Sequence, residues 1–355
     1  MPRLSICIPS YNRPRFLKEL IASIVKQCTL DHEIVISDDS SPSYNEILEI
    51  VEKYKEIYPD LSIKIFKNEK TLGYDGNFRS LIDKSSGDYC VFMGDDDIML
   101  PNALSRIEDV INNNTGVAVI LRSWLKADRE TNKVDEVFKY FSDDRLFVAG
   151  VKSSATLFRR SVAIAGFTVK RELASQLATA QFDGTLLYQV YLTATLALKH
   201  PCYYISEPIA IMRKDKNQKP THFFGTAEVE KNKFKPGSLT YENSLHFIDG
   251  MLKVSLDVSN MQNCVVLNNL ILKDLYNYSY PLLSVQRNNG LGNFIRYQKE
   301  LRRRGFGKSV LFNIYTISLL MFGTKYCSIL IKIIKNVYGR TPIIGDISTG
   351  EKVKK

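Results

Sequence analysis

The first 125 residues switch repeatedly between two hydrophobic periods, and that alternation narrows the choice of fold more than any bulk property of the chain. "LSICIP" (4–9) reads as a short buried strand, and 15–27 has helical spacing through Phe16, Leu17, Leu20, Ile21, Ile24 and Val25. "EIVIS" (33–37) is a second strand, followed by a helix in which Ser43 and Glu46 stand at capping-box spacing. "LSIKIF" (61–66), a short helix over 76–84, "DYCVFM" (88–93), a helix over 101–111 opened by Pro101, and "GVAVIL" (116–121) continue the series. Strands and helices alternating at this spacing predict an α/β fold, a mostly parallel sheet flanked by helices on both faces.

From about residue 126 the pattern loosens. "SSATLFRR" reads as a further strand, 182–199 as one long apolar helix, and "CYYISEPIAIMR" as a strand broken at its proline. After Pro236 the chain becomes mostly helical, with helices expected over 245–258, 264–277, 294–304 and 309–338. The division predicted is an α/β domain over 1–225, in halves 1–121 and 122–225, and a basic, mostly helical region over 226–355.

Composition excludes several classes. The six cysteines are scattered with no CxxC pair, so neither a zinc site nor a disulfide framework is expected, and a reducing, cytoplasmic setting is. "MPRLSICIP" leads straight into a strand and reads as carrying no signal peptide. No GxGxxG follows the first strand, which argues against a dehydrogenase. The net charge of +10 is concentrated near the C-terminus: residues 296–340 hold ten Lys/Arg against one acid, Glu300.

In parallel α/β sheets ligands bind outside the carboxyl ends of the strands. Polar clusters stand at three such ends: "PSYNR" after the first strand, "DDSS" after the second, "GDDD" after the fourth. Asp95, Asp96 and Asp97 form a hard oxygen cluster with no His or Cys nearby, suited to Mg²⁺ or Mn²⁺ bridging a diphosphate. Capping of the following helix uses one carboxylate and does not account for three. Asp38 and Asp39 offer acceptors for a nucleobase or ribose, or simply begin a turn.

Taken together these residues resemble a family 2 glycosyltransferase of GT-A type, on Pro9-Ser10-Tyr11-Asn12-Arg13, Asp38-Asp39-Ser40-Ser41, Asn68…Gly73…Asn77, and Gly87-Asp88-Tyr89 running on to Gly94–Asp97. The resemblance covers 3 to about 110 and runs loosely to about 213. It implies a Rossmann-like GT-A catalytic domain, with Pro9, Tyr11, Arg13, Asp39, Asn77, Asp95 and Asp96 toward the nucleotide. Asp97 and Asp95 would be the metal ligands for Mn²⁺ or Mg²⁺, with Asp97 the first choice. Gly94 stands where the family often has Asp, which leaves open which carboxylate meets the metal. The family's catalytic acid before an apolar helix is matched in part by "FDGTLL", giving Asp183 as general base; an N-cap for that helix is the structural alternative.

The implied activity is inverting transfer of a sugar from a nucleoside-diphosphate donor to a glycan or lipid-linked glycan acceptor. In this family such transfer commonly serves bacterial surface polysaccharide (O-antigen or capsule), on the cytoplasmic side and peripheral to the inner face of the membrane. "MRKDKNQ" (212–218) and His222 are weaker candidates for phosphate or metal contact. The tail 308–340 reads either as a basic amphipathic segment at a membrane surface or as a helix pair packed on the core; nothing in it marks a nucleic-acid binder. A sugar-nucleotidyltransferase and a non-catalytic scaffold on the same fold are the alternative functions. The first lacks its glycine-rich loop here.

Overall fold

The computed structural model describes residues 3–128, 131, 133–214, 225–235 and 240–337. Its strands are β1 (Leu4–Ser10), β2 (His32–Asp38), β3 (Ser62–Lys67), β4 (Tyr89–Phe92), β5 (Ile98–Met99), β6 (Val119–Asp128), β7 (Val134–Phe138), β8 (Arg145–Phe147), β9 (Phe167–Lys170) and β10 (Cys202–Lys214). The helices are α1 (Pro14–Val25), α2 (Tyr44–Ile57), α3 (Gly73–Lys84), α4 (Ala103–Asn113), α5 (Val151–Phe158), α6 (Arg171–Gln176), α7 (Tyr188–Leu196), α8 (Tyr241–Met261), α9 (Val265–Asn277), α10 (Tyr280–Asn288), α11 (Leu291–Arg303) and α12 (Val310–Val337).

The sheet runs β3-β2-β1-β4-β9-β6-β10-β5, with β7 beside β6 and β8 beside β10. β3, β2, β1 and β4 are mutually parallel, so their carboxyl ends share one edge. β9 enters antiparallel between β4 and β6, and β10 runs parallel to β6. Every residue of β2 is buried, the central Ile34, Val35 and Ile36 as expected of a strand covered on both faces and the flanking polar residues along with them. α1, α2 and α4 cover one face; α3, α5 and α7 cover the other, where α8 and α9 add Met251, Val254, Val258, Leu267 and Ile271 to the same core.

The α/β architecture is as read from the sequence, while several elements differ. "SSATLFRR" falls in helix α5 and the short turn after it, not in a strand: six consecutive residues of α5, Ser153 to Phe158, are buried, so no helical stripe was visible. The expected helix over 182–199 is only α7; before it the chain turns through Gly184 and Leu186, both at positive φ. Ser43 caps α2 by position but makes no side-chain bond, so the capping box does not form. α4 starts two residues after Pro101, at an Asn102 with φ 63°. β10 continues through Pro208 by shifting register there. α10 was missed altogether.

At the amino edge of the sheet, Glu33 on β2 ties together β1, β3 and the connection from α3 to β4. Its buried carboxylate accepts from Ser5 Oγ (2.6 Å), Lys64 Nζ (2.7 Å), Ser86 N (2.6 Å) and Ser86 Oγ (2.9 Å). Burial alone would raise this carboxyl; the bonds from Lys64, Ser5 and Ser86 overrule it and hold it at about 2. A depressed carboxyl contributes stability that is full above its unfolded value and lost as pH falls through the folded one. Urea unfolding measured between neutral pH and pH 2 should therefore show an acid limb that Glu33→Gln flattens, the variant losing its stability mainly at the neutral end.

Candidate active site

Three strand ends are sewn together where the sheet's parallel half finishes. Beyond β1, Tyr11 N donates to Asp95 Oδ2 (3.1 Å), and Asn12, at φ 54°, donates its N–H to Ser41 Oγ (2.8 Å). Asp39 N reaches Ser10 O (2.9 Å), tying the second strand end to the first. Asp97 N closes a turn onto Gly94 O at 3.0 Å, so the triad is a compact turn directly after β4.

The three aspartates occupy different environments. Asp95 is spent on its neighbours: Oδ2 takes the Tyr11 amide, and Oδ1 takes Arg13 Nη1 at 2.8 Å. Arg13 also pairs with Asp96 at 3.2 Å. Burial, with Asp96 beside it, pushes the Asp95 carboxyl up to about 6 against the pull of Arg13. Asp97 is 6% exposed, and no hydrogen bond reaches its carboxylate among the described residues. Burial and then the charge of Asp96 push it well above the usual carboxylate range.

Gly94 makes room for that carboxylate. A Cβ there would lie 2.7 Å from Asp97 Oδ2, so a larger residue would require that carboxylate to shift. From the far side of the sheet, Arg213 on β10 donates Nε to the Asp96 carbonyl (2.5 Å) and pairs with Glu19. Arg122 on β6 is wholly buried; its charge acts on Asp97, and its Nη1 has no hydrogen-bond partner among the described residues. Desolvation lowers its guanidinium to about 10. Of "MRKDKNQ", only Met212–Lys214 fall inside the described residues; 215–218 and His222 lie outside them.

A second cluster forms around Asp39. Its Oδ1 accepts Leu72 N (2.7 Å) and Asn68 Nδ2 (3.0 Å), and its Oδ2 accepts Gly73 N (2.9 Å). Asn77 Oδ1 takes Asn68 Nδ2 (3.1 Å), and Asn77 Nδ2 holds the Ser37 carbonyl (2.9 Å). Asp39 therefore anchors the start of α3 at the sheet edge and keeps unused acceptor capacity on Oδ2. Burial raises its carboxyl. Pro9 and Tyr11 are half-buried beside these ends.

α3 then reaches the acceptor-side half. Asp75 and Arg79, four residues apart, project from one face of it. Both oxygens of Asp183 receive Arg79, Nη1 at 2.6 Å and Nη2 at 2.9 Å, and Arg79 Nη1 also donates to Thr179 O (2.8 Å). Asp183 is not the cap of α7. That task falls to Asp75, whose carboxylate accepts the amides of Thr185, Leu186, Leu187 and Tyr188 at 2.8–2.9 Å. Burial pushes the Asp75 carboxyl up to about 7 even against these bonds. Glu230 adds a third clasp, accepting Tyr74 N (2.7 Å) and Gly225 N (2.8 Å). Gly184, at φ 78°, lies so close to the Val229 carbonyl that any Cβ would collide with it.

The structure thus joins Tyr11, Arg13 and Asp95–Asp97 directly, and Asp39 with Asn77 through Asn68. Asp183 is tied to α3, and no bond connects it to the triad among the described residues. Asp75, Arg79, Arg122 and Glu230 were missed by sequence reasoning. Only the Asp75–Arg79 spacing carried a local signal.

The mixed, mostly parallel sheet flanked by helices, with a carboxylate cluster at the end of its fourth strand, is a fold of GT-A type. Residues 5–163 match the model of glycosyl transferase family 2. It is 29% identical over 232 residues to the abequosyltransferase RfbV of Salmonella typhimurium, covering 60% of this chain and 67% of that protein. It is 31% identical over 112 residues to the UDP-Glc:alpha-D-GlcNAc-diphosphoundecaprenol beta-1,3-glucosyltransferase WfgD of Escherichia coli, covering 31% of this chain and 42% of that one. Staphylococcus aureus TarS 1–349, solved with UDP-GlcNAc, superposes with a TM-score of 0.58 at 16% identity, over 84% of this chain and 79% of that chain.

The Asp75 clasp yields a direct expectation. Asp75→Asn turns an amide NH₂ toward backbone N–H donors and leaves about two of the four unpaired, which costs roughly 2–4 kcal/mol. Chemical denaturation should show a loss of that size, and a larger one for Asp75→Ala, which leaves all four amides without their acceptor.

Proposed function

We propose that the chain is an inverting glycosyltransferase that moves a sugar from a nucleoside-diphosphate donor to a hydroxyl of a glycan or lipid-linked glycan, in bacterial surface-polysaccharide assembly at the cytoplasmic face of the membrane. The observation that carries the reading is the triad: a buried Asp97 carboxylate without a hydrogen bond, beside Asp96, at the carboxyl end of β4. The named activities of RfbV and WfgD support the substrate class.

The donor set fits a divalent cation. Among the described residues no three His, Cys, Asp or Glu side chains form a complete cage. Mg²⁺ and Mn²⁺ at diphosphate sites need none, since one or two carboxylates plus phosphate and water oxygens complete the shell. Asp97 and Asp96 would hold the ion; Asp95, with both oxygens engaged, orients Arg13 and the Tyr11 loop instead. Bound there, the cation would offset charge developing on the departing diphosphate.

The chain's own groups have separable tasks. Asp39, with capacity left on Oδ2, accepts from the nucleobase or ribose, and Tyr11 and Pro9 line that end. Arg213, with one buried Nη2 unpartnered, supplies positive charge beside the triad. Asp183 takes the acceptor's proton as its hydroxyl attacks the anomeric carbon opposite the diphosphate. The Arg79 fork fixes that carboxylate's direction and leaves its outer lone pairs for the hydroxyl.

Transfer or donor hydrolysis should fall about a hundredfold or more for Asp97→Ala and for Asp183→Ala in the folded variants. Activity of both near the unsubstituted level would remove the assignment. Chelation of divalent cations should abolish activity, with recovery on adding Mn²⁺ or Mg²⁺.

A further inference from the structure

The C-terminal helix α12 is apolar on both sides, yet only one side has a partner among the described residues. Its inner stripe, Phe312, Thr316, Leu319 and Cys327, is buried against Leu283, Phe294 and Phe306. Polar ties lock that stripe to α9 and α10: Arg287 Nε donates to Leu319 O (3.0 Å), Ser309 Oγ to Asn277 Oδ1 (2.9 Å), and Thr324 Oγ1 to Asn288 Oδ1 (2.5 Å). The outer stripe is equally apolar and faces water, with Val310 72% exposed, Ile317 55%, Met321 68%, Phe322 58% and Tyr326 66%. Residues Val310–Ile331 are long and apolar enough to cross a membrane, and only 17% of that apolar window is buried.

A helix apolar all round belongs inside a core or in lipid. Crossing the bilayer would carry Arg287, Asn288 and the α10 backbone into hydrocarbon, at several kcal/mol for each unpaired group. Lying in the interface keeps the inner stripe on the protein and buries only the outer one. Charge selects the partner. α12 contains no acid, and the exposed Arg302, Arg303, Lys308 and Lys325 stand on it or just before it. A second copy docked face to face through a two-fold axis would set these cations against one another. An anionic lipid surface complements them.

We propose that the outer face of α12 is an in-plane docking surface for an anionic bilayer, with the inner face fastening the enzyme to it. The two sequence expectations for the tail, core packing and membrane contact, then describe opposite sides of one helix. The backbone break at Gly323 (φ 65°, ψ −179°) divides the helix into two segments that can each follow the surface.

The test is vesicle flotation of the full chain and of Ile317→Glu/Met321→Glu. Both positions are exposed, so circular dichroism and melting should match between the two proteins. The unsubstituted chain should float with phosphatidylglycerol-containing vesicles, bind pure phosphatidylcholine about tenfold less, and release at high salt. The variant should lose about tenfold or more of its binding. Absence of flotation, or flotation unchanged in the variant, would overturn the proposal. So would a dimer by analytical ultracentrifugation that the double substitution dissociates, since the face would then bind a second copy. None of these readouts depends on sugar transfer, so failure here leaves the catalytic reading standing.

Discussion

The grip of buried carboxylates on the first turn of α3 organises this molecule. Asp39 holds the amides of Leu72 and Gly73, Glu230 holds that of Tyr74, and the helix N-terminus is thereby pinned to the sheet edge. Helix N-termini carry partial positive charge, so acids are stabilising there, and burial strengthens the effect by excluding water. From that fixed start, Asp75 and Arg79 extend one turn further and clasp the segment 183–188. The proposed nucleotide end and the proposed acceptor end of the site are linked by one rigid element rather than by two loops.

A price in electrostatics follows from putting so many acids out of water. Asp39, Asp75, Asp95, Asp97 and Glu230 all have carboxyls raised by burial. Most of them are quieted by backbone amides or by Arg13. Asp97 is different, because its carboxylate lies against Gly94 and no hydrogen-bond donor among the described residues reaches it. Its environment is the one a cation would complete, and this physical asymmetry separates it from Asp95 more clearly than any motif does.

Much of the parallel half was legible because its information is local. Apolar runs of strand length, helices with one buried stripe, and acids placed where no turn needs them all leave marks in neighbouring residues. The triad and the acids after β2 were singled out that way, while Tyr11 and Arg13 entered as candidates through the family resemblance. What failed was non-local or symmetric. α5 shows no stripe because its C-terminal half is buried on every side. The turn before α7 depends on left-handed residues at Gly184 and Leu186, and its cap arrives from Asp75, some 110 residues away in sequence. Arg122 looks like an ordinary strand residue until the fold sets it near Asp97.

The central claim is that the triad holds a nucleoside diphosphate through a divalent cation. Calorimetric titration of the full chain with a panel of nucleoside diphosphates, in Mn²⁺ and again in chelator, addresses it most directly. The account predicts saturable binding of at least one nucleotide with Mn²⁺ and its loss in chelator. Binding of equal strength in both conditions, or none with any nucleotide, would contradict it.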